Sequence, residues 1–133
     1  MASEETALDL ARQVSQGMRP GKGYVDLTTV GPVVAAEISQ IIKAAGGMHI
    51  ECPMSGSVKP AEQGKLIFLA SGDEELFELS KPLLAVMGCK NVFLAQVGGA
   101  SKLKLIINSF MGSVVSSLAE AMTLARRAGA SNV

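Results

Sequence analysis

The 133-residue chain has no tryptophan, one tyrosine, one histidine and two cysteines, and no excess of either charge, since 12 Lys+Arg stand against 12 Asp+Glu. Without a basic excess there is no general electrostatic case for nucleic acid or for an anionic membrane surface, and neither partner is expected. With 18% charged and 48% hydrophobic residues the chain also lacks the composition of a disordered segment. Cys52 and Cys89 stand far apart and outside any C-x-x-C or Cys/His cluster. Neither a disulfide framework nor a metal site is therefore expected, and a reducing compartment fits best. The opening Met1-Ala2-Ser3-Glu4-Glu5 is acidic and has no apolar core segment, unlike a secretory signal or an Arg-rich transit peptide. A cytoplasmic location is expected. The length corresponds to one domain or a piece of one.

Turn residues divide what is present into alternating helices and strands. Apolar positions from Ala7 to Val14 predict an amphipathic helix over 5–16, broken by Arg19-Pro20-Gly21. Tyr24 to Thr29 predicts a strand, and Pro32 starts a helix that Gly46-Gly47 stops. Met48 to Cys52 predicts a second strand, residues 54–64 a loop, and the apolar run Lys65 to Ala70 the clearest strand. Asp73 is placed to cap a helix reaching Gly88; Asn91 to Ala95 reads as a last strand, and a long helix runs from about Ser101 to Ala128. This alternation predicts an α/β domain with a largely parallel sheet.

The last helix is longer than the body it would pack on. At 1.5 Å per residue its length is about 42 Å, against about 30 Å for a small domain. Leu105, Phe110, Val114, Leu118 and Met122 lie in an apolar half, whereas Ser109, Gly112, Ser113 and Ser116 form an opposite face of small residues. Such a helix requires a packing partner from a second helical domain or a second copy, so a homo-oligomer through this helix is expected. A membrane span is disfavoured because Asn108, the serines and Glu120 interrupt the run.

Three constellations have chemical potential. Lys104 and Asn108 are four residues apart on one helix face, at the border of the apolar half. A lysine held partly out of water gives up its proton more readily, although a lysine that merely snorkels beside a capping amide has the same pattern. Ser55, Gly56 and Ser57 follow a strand, where hydroxyls and backbone N–H groups can hold a carboxylate, or simply form a polar turn. Thr28-Thr29 ends a strand, the place where open α/β sheets bind ligands. His49 has no ligand-type neighbour in sequence and reads as structural.

The segments YVDLTTV at 24–30, ECPMSGSVKPAEQGKL at 51–66, SGDEELFE at 71–78 and VGGASKLKLIIN at 97–108 together resemble the β-hydroxyacid dehydrogenase family. This family includes 3-hydroxyisobutyrate dehydrogenase and is related to 6-phosphogluconate dehydrogenase. The combination SGS-x-KPAE, FLAQVG and KLKLIIN is most similar to the plant glyoxylate and succinic semialdehyde reductase branch. The resemblance implies that Lys104 is the catalytic acid and that Asn108 orients a small carboxylate substrate. It further implies that Ser55, Gly56 and Ser57 bind the carboxylate and that Thr29 contacts an NADP or NAD cofactor, NADP being favoured by the branch. The animal cytokine-like nuclear factor branch lacks this lysine, so Lys104 points toward the enzymes.

The resemblance further implies that residues 1–96 are the C-terminal part of a Rossmann-like NAD(P)-binding domain. Residues 97–133 are then the long first helix of an all-α dehydrogenase domain. The family opens with a G-x-G-x-x-G turn that binds pyrophosphate, and none occurs in this sequence. Ser57 and Ala100 stand where the family commonly has glycine. The chain is therefore expected to be truncated at both ends and inactive alone. A non-catalytic dimerisation or scaffold module derived from the family is the rival reading, and an unproductive fragment a third.

Overall fold

A computed structural model describes residues 3–130. Helix α1 (Glu4–Ser15) starts at Ser3, whose hydroxyl accepts from the Thr6 N–H, and buries Ala7 and Ala11. The first strand, β1 (Gly23–Asp26), stops short of the predicted end. Asp26 Oδ1 accepts from both the N–H and the hydroxyl of Thr28, at 2.9 and 2.7 Å, and this local turn takes the backbone out of the strand. Helix α2 (Pro32–Ala44) has Pro32 in its first turn, as its sequence position predicts.

Strand β2 (Met48–Glu51) runs parallel to β1, with Tyr24 opposite His49 and Asp26 opposite Glu51. The predicted loop after it contains two short elements, β3 (Met54–Ser55) and α3 (Val58–Glu62). Neither is long enough to show a hydrophobic period, and their turn-forming composition conceals them. Strand β4 (Leu66–Gly72) is the central one, pairing antiparallel with β3 and with the end of β2, and parallel with β5 (Gly88–Phe93). Two parallel ladders, β1–β2 and β4–β5, are thus joined where Ile50 meets Gly72 and Glu51 meets Ser71. The near-continuous apolar run of β4 fits a strand covered on both faces.

Helix α4 (Glu74–Met87) leads directly into β5, three residues earlier than predicted. Gly88 reads as a helix stop, but it also pairs with Leu66 so closely that a Cβ there would lie 2.5 Å from the Leu66 carbonyl oxygen. One core cluster packs Ile50, Leu66, Phe68 and Ala70 against Leu76, Phe77 and Leu84 of α4. The other joins Ala7 and Ala11 of α1 to Ala35 and Ile38 of α2, with Tyr24 against it. The sheet is therefore a middle layer between α4 and the α1–α2 pair. Helix α5 (Gly99–Arg127) has 29 residues, of which only Ala100 and Ser101 are buried. Its most apolar 18-residue window has a mean hydropathy of 1.4, so by length and composition alone it is able to cross a membrane.

Candidate active site

The charged centre of the fold lies where the two parallel ladders meet. Glu51, at the end of β2, is only 1% exposed. One of its oxygens, Oε1, accepts from the hydroxyl of Ser71 and, at 2.5 Å, from the Gly98 N–H. The other, Oε2, accepts from the Ser101 hydroxyl. Ser71 Oγ in turn accepts from the Ala100 N–H at 3.0 Å, so the first turn of α5 is tied to both β2 and β4. Buried carboxylates are costly unless their oxygens are hydrogen-bonded, and this one is satisfied on both. It also sits at the positive end of a helix dipole. Gly98, the residue preceding the helix, has φ +88, a left-handed conformation that only glycine takes without strain.

Lys104 follows Ser101 by three residues and is half-buried, whereas Asn108 one turn further is exposed. Thr29 is half-buried in the loop between β1 and α2, at the C-terminal ends of the β1–β2 ladder. The first residue of α2, where that loop ends, approaches the start of α5, since a Cβ on Gly98 would lie 3.5 Å from Pro32 Cβ. Ser55 pairs with Ile67 in β3, Gly56 follows with φ +141, and exposed Ser57 precedes α3 as its N-cap without a side-chain cap bond. Since Ile67 is four residues before Ser71, Ser55 lies about 13 Å along β4 from the α5 anchor. Among the described residues no hydrogen bond joins Lys104 or Asn108 to Ser55–Ser57.

An open groove of about 730 Å³ separates α2 from the start of α5, lined by Pro32, Val33, Glu37, Gln40, Gly98 and Lys102 among others. None of the predicted site residues lines it. Cys52 is buried, and burial first, then the Asp26 carboxylate, pushes its thiol up to about 12, so it stays protonated and unreactive at neutral pH. Cys89 is exposed, with its sulfur 3.5 Å from the Lys65 carbonyl oxygen. His49 is fully buried with neither ring nitrogen hydrogen-bonded, and burial holds its pKa below the usual value. Sequence reasoning overlooked Glu51, Ser71 and Ser101. The available signal was an acidic residue closing an otherwise apolar strand and a serine in the first turn of a glycine-entered helix.

For a dinucleotide cofactor the described residues offer the open strand ends beside Thr29. The Thr29 hydroxyl makes no side-chain hydrogen bond within the described residues and stands at the strand ends, whereas no glycine fingerprint for the pyrophosphate occurs in the sequence.

A family model described as the NAD binding domain of 6-phosphogluconate dehydrogenase matches residues 2–98. Glyoxylate/succinic semialdehyde reductase 2, chloroplastic, of Arabidopsis thaliana is 42% identical over 132 residues, covering 97% of this chain and 37% of that protein. The cytokine-like nuclear factor N-PAC of Homo sapiens is 42% identical over 118 residues, 89% of this chain and 21% of that one. Among solved structures, 3-hydroxyisobutyrate dehydrogenase (ygbJ) from Salmonella typhimurium superimposes with a TM-score of 0.82 at 30% identity, covering 92% of this chain and 45% of that chain. The chain thus spans between 21% and 45% of the length of these relatives.

Proposed function

Because the chain belongs to the 6-phosphogluconate dehydrogenase NAD-binding family, we propose that it is the later part of an NAD(P)-dependent reductase of small aldehyde or 2-oxo acids. Lys104 is its proton donor. In this reading residues 1–96 complete a dinucleotide-binding domain, and α5 begins an all-helical one. The observation that supports the proposal is that Lys104 is half-buried and stands three residues beyond Ser101, whose hydroxyl is bonded to Glu51 at the end of β2. A bound dihydronicotinamide supplies the hydride for such a reduction. Lys104 Nζ gives its proton to the carbonyl oxygen as negative charge develops there, and Asn108, on the same helix face, orients the substrate. Ser55, Gly56 and Ser57 hold the carboxylate, and Thr29 holds the nicotinamide end. The similarity to a glyoxylate/succinic semialdehyde reductase supports glyoxylate or succinic semialdehyde as substrate, and likeness to a solved structure, 28% identical, in complex with NADP+ supports NADPH as reductant.

The isolated chain is expected to show no NADPH-dependent glyoxylate reduction, because a positioned cofactor needs its pyrophosphate held. In a polypeptide extended by the upstream glycine turn and the downstream helices, activity should appear. There Lys104→Ala should lower kcat about 10²–10⁴-fold, the range of a lost general acid. Unchanged kcat would remove Lys104 from the mechanism. The second reading, a non-catalytic association module, is favoured by the exposed apolar length of α5. Light scattering after size exclusion separates them in part, since a monomer at every concentration argues against association.

A further inference from the structure

We propose that Glu51 is a positioning residue for Lys104, setting the rotation and height of α5 through its first turn. The inference rests on the reading of Lys104 as the proton donor. Glu51 receives two donors from α5 and its entry, the Gly98 N–H and the Ser101 hydroxyl, and a third from Ser71 of β4. Two attachment points three residues apart fix a helix both along its axis and about it. Ser101, Lys104 and Asn108 follow one another at i, i+3 and i+7, so fixing Ser101 fixes the direction of the stripe that includes Lys104.

Among the described residues the only other directed side-chain bond onto this turn is that from the Ala100 N–H to Ser71 Oγ, and Ser71 itself donates to Glu51. Ala100 and Ser101 are the only buried residues of α5. None of the ion pairs among the described residues involves the helix. An apolar contact would hold the helix to the sheet but leave its rotation loosely defined, because dispersion has no direction. A carboxylate with directed hydrogen bonds defines it.

Amide hydrogen exchange and lysine NMR on the 133-residue chain test this directly. Glu51→Gln should accelerate exchange at Gly98, Ala100 and Lys102 about tenfold while protection in α1 and α2 is kept. After reductive ¹³C-methylation, the Lys104 amine signal should move and those of Lys22 and Lys59 should not. Glu51→Asp, which keeps the charge, should return part of both effects. If Glu51→Gln fails to fold, Ser101→Ala carries the same test, because it removes one α5 donor and leaves the carboxylate in place. Unchanged exchange at residues 98–102, acceleration spread evenly over the whole chain, or an unmoved Lys104 signal overturns the proposal. Failure here leaves Lys104 as proton donor intact, and failure of Lys104→Ala to lower kcat leaves the anchor intact.

Discussion

The two ends of α5 meet opposite fates. Its first turn is held in the fold by Glu51 and Ser71, with Ala100 and Ser101 buried. Further along, Phe110 is 66% exposed, Val115 60% and Leu124 70%. Phe68, in the middle of β4, is wholly buried. Apolar character therefore states a demand for burial without meeting it. Burial requires a second surface within reach, and beyond the first turn the helix has run past the sheet that supplies one.

The largest effect that sharpens this contrast comes from matched truncations. Phe68→Ala should destabilise the chain by about 3–5 kcal/mol in urea unfolding, the cost of deleting a buried aromatic. Phe110→Ala should stay within about 0.5 kcal/mol, as for surface changes. A large loss at Phe110 would mean that the outer part of α5 is covered in solution. Glycine substitutions should then differ in sign. Gly88→Ala drives a methyl against the Leu66 carbonyl and should cost about 1–3 kcal/mol. Gly112→Ala meets nothing within 4 Å in mid-helix and should favour the helix by about 0.5–1 kcal/mol. If Gly112→Ala instead weakens a dimer measured by light scattering, the face of small residues is where two copies meet.

The smallest expected effect is that of pH on the packed body. Burial lowers the His49 pKa against the raising influence of Asp26, Glu51 and Asp73, with Lys43 adding to the lowering. The unfolded chain then binds the proton more readily, so this contribution is complete above pH about 6.5 and declines as pH falls toward the depressed folded value. For Asp73 burial acts upward, but the His49 N–H and the Lys43 ammonium outweigh it and lower its pKa. Its contribution is present above pH about 4 and is lost on further acidification. Urea midpoints should therefore fall from pH 8 to 5 and again below 4. A flat profile would show His49 to be hydrated in solution.

Much of the fold is legible along the chain because local rules and packing agree there. Pro32 opens α2, the apolar run of β4 sits between two layers, and α4 ends at Gly88. The misreadings occur where one residue does two things. Asp73 stands at the α4 N-cap as predicted, yet its carboxylate binds the His49 N–H and Lys43 and makes no side-chain cap bond. Gly88 ends a helix and also starts a strand. At the candidate site, Lys104, Asn108 and the Ser55–Ser57 loop are visible as side-chain types at suggestive spacings. The Glu51 anchor is not, because its partners lie 20, 47 and 50 residues away.

By itself the sequence determined the alternating elements, the family and an apolar helix too long for its own body. These follow from periodicity, turn chemistry and residue types that act within a few positions of one another. Only the tertiary structure decided which carboxylate is buried, where α5 leaves the sheet and how Lys104 is placed. Those depend on strand order and register, which bring Glu51, Ser71 and Ser101 together from distant parts of the chain.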